Sequence, residues 1–343
     1  MYQLIKPFLF RMDAERAHYT TTSLFQLAYR TPIISHLLKA SFKFDNPKLE
    51  REIWGLKFKN PVGLAAGFDK NGQWIKEMAS LGFGFIEVGT VTPKPQDGNP
   101  KPRLFRLISD RGIINRMGFN NSGVDELIHN IKKLPKKRDY ILGGNIGKNK
   151  VTPNDQAYLD YLHCFQKLYD HVDYFVVNLS SPNTPGLREL QDKEPLTHIL
   201  TTLLEDRKAR AAQKPILLKI APDLTNKQLD DVIEICSTLN MDGLIATNTT
   251  INRKGLSAKQ RTIEGIGAGG LSGAPLTSRS TEVVSYINQK SNDFIPIIGV
   301  GGIESASTAL DKINAGAQLV QVYSGLIYSG PYLIKRIKKA IVG

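Results

Sequence analysis

The chain has 343 residues, 41% hydrophobic and 22% charged, which supports a large core: one barrel-sized domain plus a small extra piece. Its two cysteines, Cys164 and Cys236, lie far apart with no CxxC spacing, and its six histidines form no HExxH or similar cluster. That excludes a disulfide scaffold and a Cys-rich zinc or iron–sulfur site, and describes a reduced, metal-free protein. The net charge of +13 suggests an anionic partner, whether nucleic acid, an acidic membrane surface or a small ligand. The densest basic run, KKLPKKR over 132–138, reads as a solvated loop between a helix and a strand.

Residues 1–42 differ from the rest. Tyr2, Leu4, Ile5, Phe8, Leu9 and Phe10 cluster apolar surface, and Asp13 caps a helix carrying Ala14, Ala17, Leu24, Phe25 and Ala28. Thr31-Pro32 starts a second helix with Ile33, Ile34, Leu37 and Leu38. Basic residues outnumber acidic ones here, since only Asp13 and Glu15 oppose Lys6, Arg11, Arg16, Arg30 and Lys39. Short helices of this kind suit the interface of an anionic bilayer, and equally a helical hairpin packed on the main domain. No apolar run reaches the roughly 18 residues of a membrane span, and the amino terminus lacks the core and cleavage site of a signal peptide.

REIWGLKFKNP then reads as a hairpin turning at Gly55. From there apolar runs alternate with helical stretches. Strands are predicted at 61–66, 83–89, 140–146, 174–179, 215–220, 243–248, 296–302 and 319–325. Nearly all-apolar strands separated by helices imply a parallel sheet covered on both faces, and eight such units imply a (β/α)8 TIM barrel. The Gly/Pro/Lys-rich spacers after Gly89 and after Asn248 are candidate active-site loops.

In a barrel the carboxyl ends of the strands converge on one face, and chemistry collects there. The first strand is followed by AAGFDK and the second ends at Thr90. NRMGFNN follows in a later loop, and the third strand ends at Asn145. The fourth runs into NLSSPNTPGL, which supplies Asn178, Ser181 and Asn183. Alone, that string is equally a Ser/Pro/Asn/Gly turn; the recurrence of similar strings at the other strand ends favours a site. Lys219 stands within the fifth strand, an odd place for a lysine unless it meets an anion. TNTT closes the sixth. GVGGI and YSG close the last two, and Gly301, Gly302, Tyr323 and Ser324 would form a phosphate cup of backbone N–H groups. The ring has no carboxylate pair, no Ser/His/Asp order and no metal shell. It suits a planar cofactor and substrate bound together, and flavin mononucleotide (FMN) fits.

Taken in order, AAGFDK, IEVGTVTPKPQDGNPKPRLFRL, INRMGFNN, NIGKNK, NLSSPNTPGLREL, KIAPDL, ATNTT, GGLSG, PIIGVGGI and QVYSG resemble the membrane-associated, quinone-reducing class 2 dihydroorotate dehydrogenases. The likeness runs from about residue 13 to the end, and DAERAH over 13–18 resembles that class's extension. The soluble classes carry Cys where Ser181 stands. The resemblance implies FMN contacts at Ala65, Ala66, Gly67, Phe68 and Asp69, then Thr90, Asn145, Asn178 and Lys219, then Thr247, Gly273, Gly302, Tyr323 and Ser324. Dihydroorotate would be held by Lys70, by Asn115, Arg116, Met117, Gly118 and Phe119, and by Asn178, Asn183, Asn248 and Thr249. Ser181 would be the base for the C5 proton, and Lys219 would stabilise anionic reduced flavin.

By the same resemblance, His18, Arg106 and Tyr323 line a quinone tunnel. Residues 1–42 form the membrane and quinone-access domain, and 43–343 the FMN-binding catalytic barrel. The expected reaction is oxidation of (S)-dihydroorotate to orotate in de novo pyrimidine (UMP) biosynthesis. The expected place is the cytoplasmic side of the cell membrane, bound peripherally to an anionic surface. No nucleic acid, metal or protein electron-transfer partner is expected. A flavin-dependent tRNA dihydrouridine synthase is the rival that the charge suggests. It calls for a cysteine acid at a strand end and an added RNA-binding domain, whereas both cysteines fall in predicted helices and no spare domain remains. A non-catalytic nucleotide-binding barrel is the other rival, and it gives the polar ring no purpose.

Overall fold

A computed structural model describes residues 2–343. Three helices come first: α1 (Tyr2–Arg11), α2 (Ala14–Tyr29) and α3 (Pro32–Phe42). The apolar cluster at the start is thus a helix, with Pro7 inside it. Asp13 caps α2 by accepting from the Arg16 N–H at 2.9 Å, as its position suggests. Pro32 opens α3 at its first turn.

The hairpin follows as β1 (Arg51–Ile53) and β2 (Leu56–Phe58), paired antiparallel around Gly55, whose φ is +71°. The parallel strands are β3 (Val62–Leu64), β4 (Phe85–Val91), β7 (Ile141–Ile146), β8 (Tyr174–Asn178), β9 (Ile216–Ile220), β10 (Gly243–Ala246), β12 (Ile297–Val300) and β13 (Leu319–Val322). They close into one eight-stranded barrel, with β13 pairing β3. Helices α4 (Ile75–Ala79), α5 (Val124–Ile131), α6 (Ala157–Leu168), α7 (Lys193–Lys208), α8 (Asn226–Thr238), α10 (Thr277–Lys290), α11 (Ala306–Asn314) and α13 (Tyr332–Val342) cover its outside. Two further helices, α9 (Gln260–Ile266) and α12 (Ser324–Ser329), belong to the loops at the strand ends. Among the described residues no helix is long and apolar enough to cross a membrane.

All eight predicted barrel strands are present, but several end sooner than the pattern suggests. Asn248, Gly302 and Ser324 lie beyond their strands, and Ser324 begins α12. Pattern alone extends a strand until polarity rises, whereas the ladder stops where the loops turn away. The two long spacers are also more than loops. They contribute β5 (Leu104–Leu107), β6 (Gly112–Asn115) and β11 (Gly270–Gly273), a three-stranded antiparallel sheet beside the barrel mouth. Strands of only four residues carry little periodic signal, β6 and β11 also have a terminal glycine, and β11 finds β6 only through the fold.

The barrel core is apolar below and polar above. Phe58, Phe85, Tyr174, Val176, Leu217, Ile245, Ile298 and Leu319 fill the interior, with Trp54 and Leu56 of the hairpin packed against them. Glycines make room for the rings, since a Cβ on Gly63 would fall 2.3 Å from Phe85 and one on Gly143 2.2 Å from Tyr174. Toward the carboxyl ends the buried side chains become Glu87, Asn145, Lys219 and Gln321. A barrel needs no polar layer to close. This one forms the floor of a cavity.

Candidate active site

The polar layer is a connected network. Glu87 accepts from Asn145 Nδ2 at 2.7 Å and from Gln321 Nε2 at 2.5 Å. Asn145 Oδ1 accepts from the Thr90 hydroxyl and, at 3.2 Å, from Asn178 Nδ2, which also reaches Thr90 Oγ1 at 2.8 Å. Asn248 Nδ2 donates to Asn178 Oδ1 at 3.1 Å and to Ser180 Oγ at 3.0 Å. One chain of hydrogen bonds therefore joins the ends of β4, β7, β8 and β10. Such networks hold amides in one orientation, so the groups they present upward are pre-set.

Lys219 is buried beside this network. Its Nζ lies 3.9 Å from Glu87 Oε1 and has no hydrogen-bond acceptor among the described residues. Burial lowers its pKa, and the Glu87 carboxylate opposes that shift. A buried ammonium with donors to spare is costly unless something anionic meets it. Gln321 Oε1 is likewise buried without a donor. Both residues line the central cavity.

The far wall is built from glycines. The Gly301 carbonyl accepts from Ser280 Oγ at 2.9 Å, and the Gly302 carbonyl from Thr277 Oγ1 at 3.0 Å, both in α10. A trans peptide points the following N–H the opposite way, so the N–H groups of Gly302 and Ile303 turn from α10; both residues line the cavity. The Ser324 hydroxyl, at the start of α12, pairs with Ser272 Oγ at 2.8 Å. Ala65, Ala66, Gly67 and Gly273 keep the neighbouring walls flat and close. These features fit FMN: a cup for one phosphate, a flat slot, and a buried cation lacking an acceptor.

Ser181, 6% exposed, stands in the loop after β8. Its Oγ accepts from the Asn183 N–H at 3.3 Å. Asn183 Nδ2 reaches Asn115 Oδ1 at 2.9 Å and so ties the loop to β6. Lys70 donates to Asn120 Oδ1 at 2.7 Å, and burial, aided by Arg103, lowers its pKa to about 8. Thr184 Oγ1 is buried without a partner three residues beyond Ser181.

Of the residues picked from sequence, most line this one cavity, including Thr90, Met117, Gly118, Phe119, Thr247 and Thr249. Others do different work. The Asp69 carboxylate takes the N–H groups of Gln73 and Trp74 at 2.8 and 2.7 Å, and burial raises its pKa to about 6. The Arg116 guanidinium bonds the carbonyls of Pro102 and Ile266 and stacks on Phe105. Asn145 holds its neighbours from within the floor. Phe68 turns toward His18, ring centres 4.9 Å apart.

A second cavity between α2 and the barrel is lined by His18, Phe68, Asp69, Lys70, Trp74, Arg103 and Tyr323. Tyr323 borders both cavities, and burial raises its pKa to about 12. Burial, reinforced by Lys70, lowers His18 to about 4, so its imidazole is neutral near pH 7. Arg106 is not brought to these two. Its guanidinium donates to the carbonyls of Leu9 and Met12 and stacks on Phe10, where it fastens the α1–α2 turn. Sequence reasoning missed Ser180, Ser272, Glu87 and Gln321. All four lay inside strings already singled out, but Glu87 and Gln321 stand within strands, where they read as ordinary strand residues.

A family model described as dihydroorotate dehydrogenase matches residues 48–342. A dihydroorotate dehydrogenase (quinone) of Christiangramia forsetii is 55% identical over 349 aligned residues, covering 100% of this chain and 99% of that protein. One from Xanthomonas campestris pv. campestris is 48% identical, covering 99% and 96%. The solved ligand-free structure of the Eimeria tenella enzyme superposes with a TM-score of 0.87 at 39% identity, covering 96% of this chain and 94% of that one. Its complex with ferulenol gives 0.84, also at 39% identity, over 95% and 90%.

Proposed function

The chain belongs to the dihydroorotate dehydrogenase family, in its quinone-dependent class 2, and from that membership and the cavity we propose how its residues divide the reaction. The enzyme oxidises dihydroorotate to orotate in pyrimidine biosynthesis, with a quinone as electron acceptor. FMN is the group that the cavity fits, and when bound it supplies a hydride acceptor for substrate C6 and a donor of electrons to quinone.

The N–H groups of Gly302 and Ile303 and the Ser324 hydroxyl hold the phosphate. Lys219 holds negative charge at the ring system, where its buried ammonium otherwise lacks an acceptor. Lys70 meets an anionic group of dihydroorotate, and Asn115, Asn183, Asn248 and Thr249 present amides and a hydroxyl to its polar edge. Ser181 Oγ takes the C5 proton. Serine is a weak base, so its own hydroxyl proton must leave through water or a neighbouring hydroxyl. Thr184, buried and without a partner in the same loop, is the candidate to receive it. The observation that carries this reading is that buried Ser181 shares one cavity with the substrate amides, the glycine cup and Lys219.

The amino-terminal helices serve quinone and membrane. Leu4, Phe8, Leu24, Leu27, Ile33 and Leu37 are all exposed on α1–α3, and α2 also carries His18, which lines the second cavity with Tyr323. Residues 1–42 would lie on the cytoplasmic face of an anionic membrane, and 43–343 would carry the dihydroorotate half-reaction. Denaturing the purified protein and chromatographing the released cofactor tests the assignment. FMN in about equal amount to protein is expected; FAD, or no flavin at all, contradicts it.

A further inference from the structure

We propose that Arg188 is a positioning residue for proton transfer: its guanidinium clamps the loop carrying Ser181 to the loop carrying Thr249. The inference rests on reading Ser181 as the base. Arg188 lies in a short 3-10 helix, Leu187–Gln191, entered through Gly186 at φ +68°. Its Nε donates to the Ser180 carbonyl at 3.1 Å and its Nη2 to the Thr249 carbonyl at 3.0 Å. Its Nη1 donates to Asp223 Oδ2 at 2.9 Å. The same carboxylate accepts from the Ile251 N–H at 3.2 Å and from the Thr250 hydroxyl. One planar group thus joins the loops after β8, β9 and β10.

The geometry bears on Ser181 directly. The Ser180 carbonyl belongs to the peptide that enters Ser181, so holding that oxygen fixes the peptide plane from which the Ser181 side chain departs. Among the described residues Ser181 Oγ itself hydrogen-bonds only with the Asn183 N–H, so the backbone sets its direction. On the cavity side, Asn248 Nδ2 to Ser180 Oγ bridges the same two loops at 3.0 Å. Arg188 braces them from behind, since it does not line the cavity. The Arg188–Asp223 pair is partly exposed, with side chains 23% and 21% accessible, so its charge attraction alone counts for little. What matters is a rigid fork serving three acceptors, which an ammonium cannot reproduce.

The test is anaerobic reduction of the FMN holoenzyme by dihydroorotate in wild type, Ser181→Ala, Arg188→Met, Arg188→Lys and the double variant Ser181→Ala/Arg188→Met. Arg188→Met and Arg188→Lys should each slow reduction roughly 10–10²-fold. FMN content and reoxidation by quinone should stay at wild-type values. In the Ser181→Ala background, Arg188→Met should add almost no further loss. Hydrogen exchange on the full chain should quicken for amides 179–184 and 249–251. Wild-type reduction in both Arg188 variants, while Ser181→Ala is slow, overturns the role of Arg188. So does a fully additive loss in the double variant. Wild-type reduction in Ser181→Ala overturns instead the reading of Ser181 beneath it. Arg188→Lys keeps the charge and bulk, so it decides the matter if Arg188→Met folds poorly.

Discussion

A serine hydroxyl accepts a proton poorly in water, so the role proposed for Ser181 depends on its surroundings: a buried loop and a backbone held in place. Replacing it with alanine should slow flavin reduction by dihydroorotate by about 10²–10⁴-fold while FMN and orotate still bind. Ser181→Cys should retain more activity than Ser181→Ala, because a thiolate can take the proton. Rapid mixing at saturating substrate and high pH reads both. Lys70 offers a pH test. Burial brings it from 10.5 to about 8, so its positive charge fades as pH rises through that value. The dihydroorotate KM should climb above pH 8, and Lys70→Met should give a higher but flat KM across the same range. At this scale the sequence exposed neighbourhoods better than directions. AAGFDK pointed to the site, yet Gly67 and Lys70 face the cavity while Asp69 turns back to cap the amides of Gln73 and Trp74. A string gives adjacency, and only the loop's path decides which side chain looks inward.

Helices α1–α3 leave a band of large apolar side chains in the open, among them Leu24 at 61%, Ile33 at 72% and Leu37 at 60% exposure. The triple variant Leu24→Asp/Ile33→Asp/Leu37→Asp should lose binding to anionic vesicles in a flotation assay. It should keep wild-type reduction by dihydroorotate and turn over slowly with a long-tailed quinone. Point changes are preferable to removing the helices. Glu15 of α2 is buried against Arg103 at 2.8 Å, and Arg103 also holds the carbonyl of Asn99, whose side chain reaches the Asn183 carbonyl. Deleting α2 would take Glu15 from Arg103 and uncover the segment that Arg103 fastens to the Asp97 and Asn99 carbonyls, so it would disturb the Asn183 loop as well as the second cavity. The barrel strands were legible because each is a continuous apolar run. The sheet of β5, β6 and β11 was not, because its strands are short and its decisive pairing is between distant segments.

The whole molecule places a polar floor on an apolar barrel, and it buries lysines both in that floor, at Lys219, and away from it, at Lys312 of α11. Lys312 is fully buried, donates to the Thr277 carbonyl and the Thr281 hydroxyl, and falls from 10.5 to about 7 through burial. Above pH 7 the folded protein gives up this proton while the unfolded chain keeps it until about 10.5. Unfolding then takes up a proton, so this residue makes stability rise with pH across that window. Lys312→Met should flatten the rise in chemical-denaturation midpoint between pH 7 and 9, measured against wild type. In the proposed reaction the flavin cavity oxidises dihydroorotate and its electrons pass on to quinone. One anaerobic cuvette tests it most directly: dihydroorotate is added to the holoenzyme, flavin absorbance is followed, and then NAD⁺ and a quinone are added in turn. Bleaching with one orotate formed per FMN, no response to NAD⁺ and full recovery of colour with quinone is the predicted result. Flavin that dihydroorotate does not bleach, or that NAD⁺ reoxidises while quinone does not, would contradict it.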